Sequence, residues 1–186
     1  MNLLSLSRMP VSSEDGWPEL VRKHPGVDQV FVFVVLPLSL LPPMMLYFAG
    51  SRYGDDFIAG FGAKPWGDIA ALFFVAEMLT LLAMGWFIKQ VAQTNNLAID
   101  YHDAYLLASL APVPLWLSSL ALFVPSMTFV TTIALLALGL SCGMIYHGVQ
   151  VLCRAREDVT VAAIVQTVIG AGLAAWGLLL AIIFPV

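Results

Sequence analysis

Five stretches of this chain run for more than twenty residues with few charges: roughly Val27–Gly50, Gly67–Ala92, His102–Val124, Met127–Leu152 and Thr160–Phe184. A helix rises 1.5 Å per residue, so about 20 apolar residues cross the hydrocarbon core of a bilayer. A soluble fold of this length has no interior large enough for five such helices, so their solvent must be lipid. Composition agrees, since only 11% of residues are charged where soluble domains average about 25%. The sequence therefore predicts an all-α fold, a polytopic integral membrane bundle of five transmembrane helices with a short N-terminal interfacial helix. Residues 1–26 form a cytoplasmic N-terminal segment and residues 27–186 the transmembrane domain.

The connections set the direction. With the N-terminus inside, the inner side holds Arg8, Arg22, Lys23, Lys89, Arg154 and Arg156, and the outer side only Arg52 and Lys64. Basic residues favour the cytoplasmic face, so the N-terminus is expected there and the C-terminus outside. The opening residues lack the apolar core of a cleaved signal and are interrupted by Arg8 and Pro10. A net charge of -4 with no basic cluster argues against nucleic acid as a partner. Cys142 and Cys153 would lie about 16 Å apart along one helix, too far for a disulfide.

Ahead of the first span, GWPELVRKHP places Pro18 in the first turn of a short helix and Pro25 at its stop. Trp17, Arg22 and Lys23 suit the headgroup region, so this helix is expected to anchor the first span or to dock a partner or lipid. In the outer loop SRYGDDFIAGFGAKPWG, Phe57, Ile58, Phe61 and Trp66 could dip into the interface, and Asp55 with Asp56 read as a solvated turn.

The stretch LFFVAEMLTLLAMGW carries Glu77 about ten residues into the second span, close to the midplane. An ionised carboxylate there costs at least ~2.5 kcal/mol. Glu77 must be protonated, find a partner on another span or face a wet cavity, and each option puts it in the bundle interior. It is either a proton- or cation-linked site or a hydrogen-bonding glue between helices. On its own helix only Thr80 could bond it; Ser118, Ser119, Thr128, Thr131 and Thr132 are the nearer candidates on other spans. In the fourth span Gly139, Gly143 and His147 recur every four residues and Gln150 continues the row. Gly139 and Gly143 have the small-residue spacing that lets helices approach closely. Gln166, Gly170, Ala174 and Gly177 repeat the pattern in the fifth span, as a packing face for the fourth. His102, Asp103, His147, Gln150 and Gln166 share one level near the inner leaflet, where a polar or proton-relay cluster is geometrically feasible. No metal-ligand spacing supports a metal site, and no motif implies a cofactor or an enzyme. Pro37, Pro42, Pro43, Pro112 and Pro114 free backbone carbonyls in the first and third spans.

Several residues together resemble the Yip1 family of multispan membrane proteins in its bacterial branch. They are the interfacial stretch before a Pro-containing first span, YHDAYLLASLAPVPLWL from Tyr101 to Leu117, and the fourth span closing on IYHG at Ile145–Gly148. A charged loop and a small-residue fifth span follow. Pro114, Leu115 and Trp116 match the family's Pro followed by apolar and aromatic residues, and Tyr146 matches the Tyr near the end of its fourth span. The resemblance implies five spans, a cytoplasmic N-terminus and no shared catalytic residues. Eukaryotic members act in vesicle trafficking and bind Rab-type GTPases; bacterial members are inner-membrane proteins. A non-enzymatic inner-membrane protein is therefore expected, in contact with the lipid bilayer and oligomerising or organising other membrane proteins. The competing reading is a small ion- or proton-linked transporter or channel using Glu77.

Overall fold

The computed structural model describes residues 9–12, 14, 16–95, 97, 99–152, 158–181 and 183, without the side chains of residues 158 and 160. Arg8, Cys153, Arg154, Arg156 and Phe184, on which some of the expectations above rest, lie outside the described residues. Among the described residues every regular element is helical. Five helices are long and apolar enough to cross a membrane: Val27–Phe57, Trp66–Thr94, Tyr101–Phe123, Met127–Leu152 and Val161–Ala181.

The third span is the central one. Ala104, Leu106 and Leu107 have no exposed surface, and every residue from Ala104 to Leu110 is buried. A helix apolar on all sides belongs inside a bundle. It packs on the second and fourth spans, and one core cluster joins it to Leu81 and Ile88 of the second span, Met144 and Val149 of the fourth, and Ile164 and Val168 of the fifth. Phe33, Leu79, Leu136 and Leu178 point outward, as lipid-facing residues should.

Proline shapes the two irregular spans. Pro37 lacks an N–H and would crowd the carbonyl four residues back. The chain answers with a widened π-helical turn at Phe31–Val35 just before it, then restarts at Leu41 with Pro42 and Pro43 in the first turn. The third span is α-helical over Tyr101–Leu110, breaks at Ala111–Pro112, and continues as Val113–Ser118 and a 3₁₀ segment Ser119–Phe123.

The N-terminal helix, Trp17–Lys23, corrects one expectation. Trp17 is not at the headgroups but fully buried, and its indole Nε1 donates to the Met9 carbonyl at 3.0 Å. A buried Trp needs a partner for its N–H, and the preceding chain supplies it. Its ring lies where Gly148 of the fourth span has no side chain, so the helix folds onto the bundle. Lys23 and Glu19 pair at 2.7 Å on the outer face. The helix ends at His24, whose N–H still donates to the Leu20 carbonyl and whose left-handed backbone (φ 41°) then turns the chain away.

The connection between the first two spans is also more built than a solvated turn. The first helix runs on to Phe57, with non-helical backbone at Tyr53. Asp55 accepts from the Gly60 and Gly62 amides at 2.9 and 3.0 Å. Trp66 is buried in protein, not dipped into lipid: it packs on Gly50 and donates to the Phe61 carbonyl at 2.7 Å. Lys64 Nζ donates to the Ile183 carbonyl at 2.8 Å, clasping this loop to the end of the fifth span.

Candidate functional site at Glu77

The second span buries Ile69, Phe73, Glu77, Leu81, Gly85 and Ile88 along one face at helical spacing. Glu77 falls on that face and is only 7% exposed. Its Oε1 accepts a hydrogen bond from the indole Nε1 of Trp116, on the third span and 3% exposed. Four of the six hydroxyls expected to serve Glu77 are engaged elsewhere, and neither Thr128 nor Thr131 bonds it. Thr80 donates to Ala76 at 2.8 Å, Ser118 to Leu115 at 2.7 Å, Ser119 to Trp116 at 2.6 Å and Thr132 to Thr128 at 2.8 Å. A helical Ser or Thr can turn its hydroxyl onto its own i−3 or i−4 carbonyl, as these four do, and then needs no second helix. The partner is an aromatic donor instead, set three residues before the 3₁₀ turn that ends the third span.

The second carboxyl oxygen, Oε2, is buried with no hydrogen-bond partner in the protein. Glu77 lines a cavity of about 570 Å³ to which all five spans contribute. The lining is chiefly apolar. Among the described residues it holds no Lys or Arg and no carboxylate besides Glu77, and its polar side chains include Thr80, Ser118, Thr131 and Ser141. The Ser141 Oγ, like Glu77 Oε2, is buried without a partner.

At the other end of the third span the polar cluster forms with a different membership. His102 Nδ1 lies 3.3 Å from Asp103 Oδ1, and its Nε2 lies 2.8 Å from the Pro25 carbonyl. His24, which sequence spacing did not single out, stacks on His102 at 4.0 Å and approaches Asp103 at 3.7 Å. The left-handed cap at His24 brings it there. His147 and Gln166 do not join by any hydrogen bond or ion pair: His147 Nδ1 is buried and unpartnered, its ring edge-on to Tyr146, and Gln166 is exposed. The group His24, His102 and Asp103 has three ligand-type atoms within 4.8 Å of one another, but the two imidazoles are parallel within 5°. It clasps the N-terminal helix to the third span.

The glycines divide in two. A side chain at Gly143 would strike the Pro10 carbonyl, so its neighbour is the N-terminal segment and not another span. Gly139, Gly170 and Gly177 are exposed, with nothing within 4 Å of where a Cβ would stand. Contrary to the expected packing on the fourth span, Gln166, Gly170, Ala174 and Gly177 all face outward; Val161, Ile164, Val165 and Val168 turn inward instead. Gln166 and Gly170 share a shallow outward groove with Tyr146.

A family model described as the Yip1 domain matches residues 8–179. The chain belongs to the Yip1 domain family. The match takes in the N-terminal helix together with the spans, in keeping with a Trp17 buried against the fourth of them. No curated protein and no solved structure matches the chain. Within the Yip1 domain, Trp116, one of the residues carrying the resemblance, is the residue that holds Glu77.

Proposed function

We propose that this Yip1-domain protein is a non-enzymatic component of a bacterial inner membrane that assembles with itself or with other membrane proteins. Its N-terminus lies in the cytoplasm and its C-terminus outside. The observation that carries the reading is the bond from Trp116 to Glu77. It ties the one acid deep in the second span to the third span, as glue between helices does. Assembly would use the outward positions Gly139 on the fourth span or Gly170 and Gly177 on the fifth, where small residues allow close approach of a second helix. The competing transporter reading draws on the unpartnered Oε2 beside the cavity.

Two measurements in liposomes separate them. Energy transfer between labelled copies should report association that Gly170→Leu weakens. Proton and cation flux across pH 5 to 8 should stay at the level of protein-free vesicles, for the wild type and for Glu77→Gln alike. Flux that vanishes in Glu77→Gln would overturn the proposal in favour of transport.

A further inference from the structure

The central cavity has the make-up of a ligand site: concave, chiefly apolar, with a few polar groups placed to fix orientation, and within the usual range of roughly 300–1,000 Å³. Two of those polar atoms, Glu77 Oε2 and Ser141 Oγ, are buried and unpartnered, on residues 7% and 4% exposed. They come from different spans but similar depths. Counted from Trp66 and Met127, where their helices begin on the same side, they stand about 17 and 21 Å along the axis. A buried polar group without a partner is costly, so atoms of this kind mark where a ligand's polar group belongs.

The lining also limits the ligand's charge. With no Lys or Arg among the described lining residues, nothing there would neutralise a phosphate, and Glu77 would oppose one. A hydroxyl suits the site in either state of the acid, because it can both donate to a carboxylate oxygen and accept from a carboxylic acid, while also meeting the Ser141 hydroxyl. We infer that the cavity binds an uncharged, hydroxyl-headed amphiphile of the long-chain alcohol or acylglycerol class, its hydroxyl at Glu77 and Ser141 and its chain along the apolar wall. Trp116 acts as the positioning residue: by occupying Oε1 it leaves Oε2 for the ligand. The site is distinct from the assembly face proposed above, since none of Gly139, Gly170 and Gly177 lines the cavity.

The test uses the full-length protein in phosphatidylcholine nanodiscs and two photoreactive probes with the same diazirine-bearing chain, one a primary alcohol and one an alkyl phosphate. Adducts are mapped by mass spectrometry, with excess unlabelled octadecanol as competitor. The alcohol should label cavity-lining peptides saturably, and the phosphate about tenfold less. That factor corresponds to a hydrogen bond of about 1.4 kcal/mol, in the upper part of the range found between membrane helices. Glu77→Leu should reduce alcohol labelling by a similar factor. Gly172→Trp, which fills the cavity from a position with nothing within 4 Å of its Cβ site, should abolish it. Equal labelling by both probes in the wild type would overturn the inference, as would labelling that survives Gly172→Trp. If Glu77→Leu does not fold, the comparison of probes on the wild type still decides.

Discussion

Trp116 is the residue on which the midplane chemistry turns. A Phe in its place keeps most of the aromatic bulk and removes only the N–H, leaving both oxygens of Glu77 without a donor. Losing one partner of a buried pair costs about 1–3 kcal/mol. Trp116→Phe is therefore expected to lower the thermal midpoint in detergent and Trp116→His, which retains an N–H, to lower it less; equal midpoints for Trp116→Phe and the wild type would show that the bond contributes nothing. The need was legible in the sequence, because a lone carboxyl at mid-span must find something inside. The donor was not. Hydroxyl residues are the obvious candidates by composition, yet each can reach a carbonyl of its own helix. Only the three-dimensional break at Ala111–Pro112 aims an indole from the third span at the second.

At the scale of elements, the five spans and their rough bounds follow from apolar length alone, and the prolines foretold the two broken helices. Faces were harder to read. Gly139, Gly143, Gly170 and Gly177 all fall on small-residue stripes, yet of these only Gly143 meets a neighbour among the described residues, and that neighbour is the chain before the N-terminal helix. Small residues show that close approach is feasible without saying to what. Gly143→Leu should therefore push the N-terminal segment off the fourth span and raise its sensitivity to protease. Gly177→Leu should change protomer stability by no more than about 0.5 kcal/mol, the range of surface substitutions. Equal protease sensitivity in the two variants would sink this distinction. The N-terminal helix also has a pH signature. The hydrogen bond from Lys23 holds the Glu19 carboxyl below its ordinary 4.5, so its stabilising effect is present above that value and is lost as pH falls through the lower, folded value. Amide protection factors over Trp17–Lys23, taken against the intrinsic rate at each pH, should fall only in that acid range. Glu19→Gln should remove the dependence.

For the whole molecule, the odd number of candidate spans among the described residues predicts the two termini on opposite sides of the membrane. With Cys142 and Cys153 replaced, a single cysteine at Glu14 should resist an impermeant maleimide in intact spheroplasts, and one at Ile58 should react. The reverse pattern would invert the orientation expected from the basic residues. The bond between Glu77 and Trp116 joins residues 39 positions apart, and this distance has a meaning in time. At about 5–20 residues per second, the ribosome completes the acid some 2–8 s before its donor exists. Through that interval the Glu77 carboxyl has no indole to meet, and the bond between the two spans can form only once the third has followed the second. A ribosome stalled between them would hold a second span whose acid is still waiting for its donor.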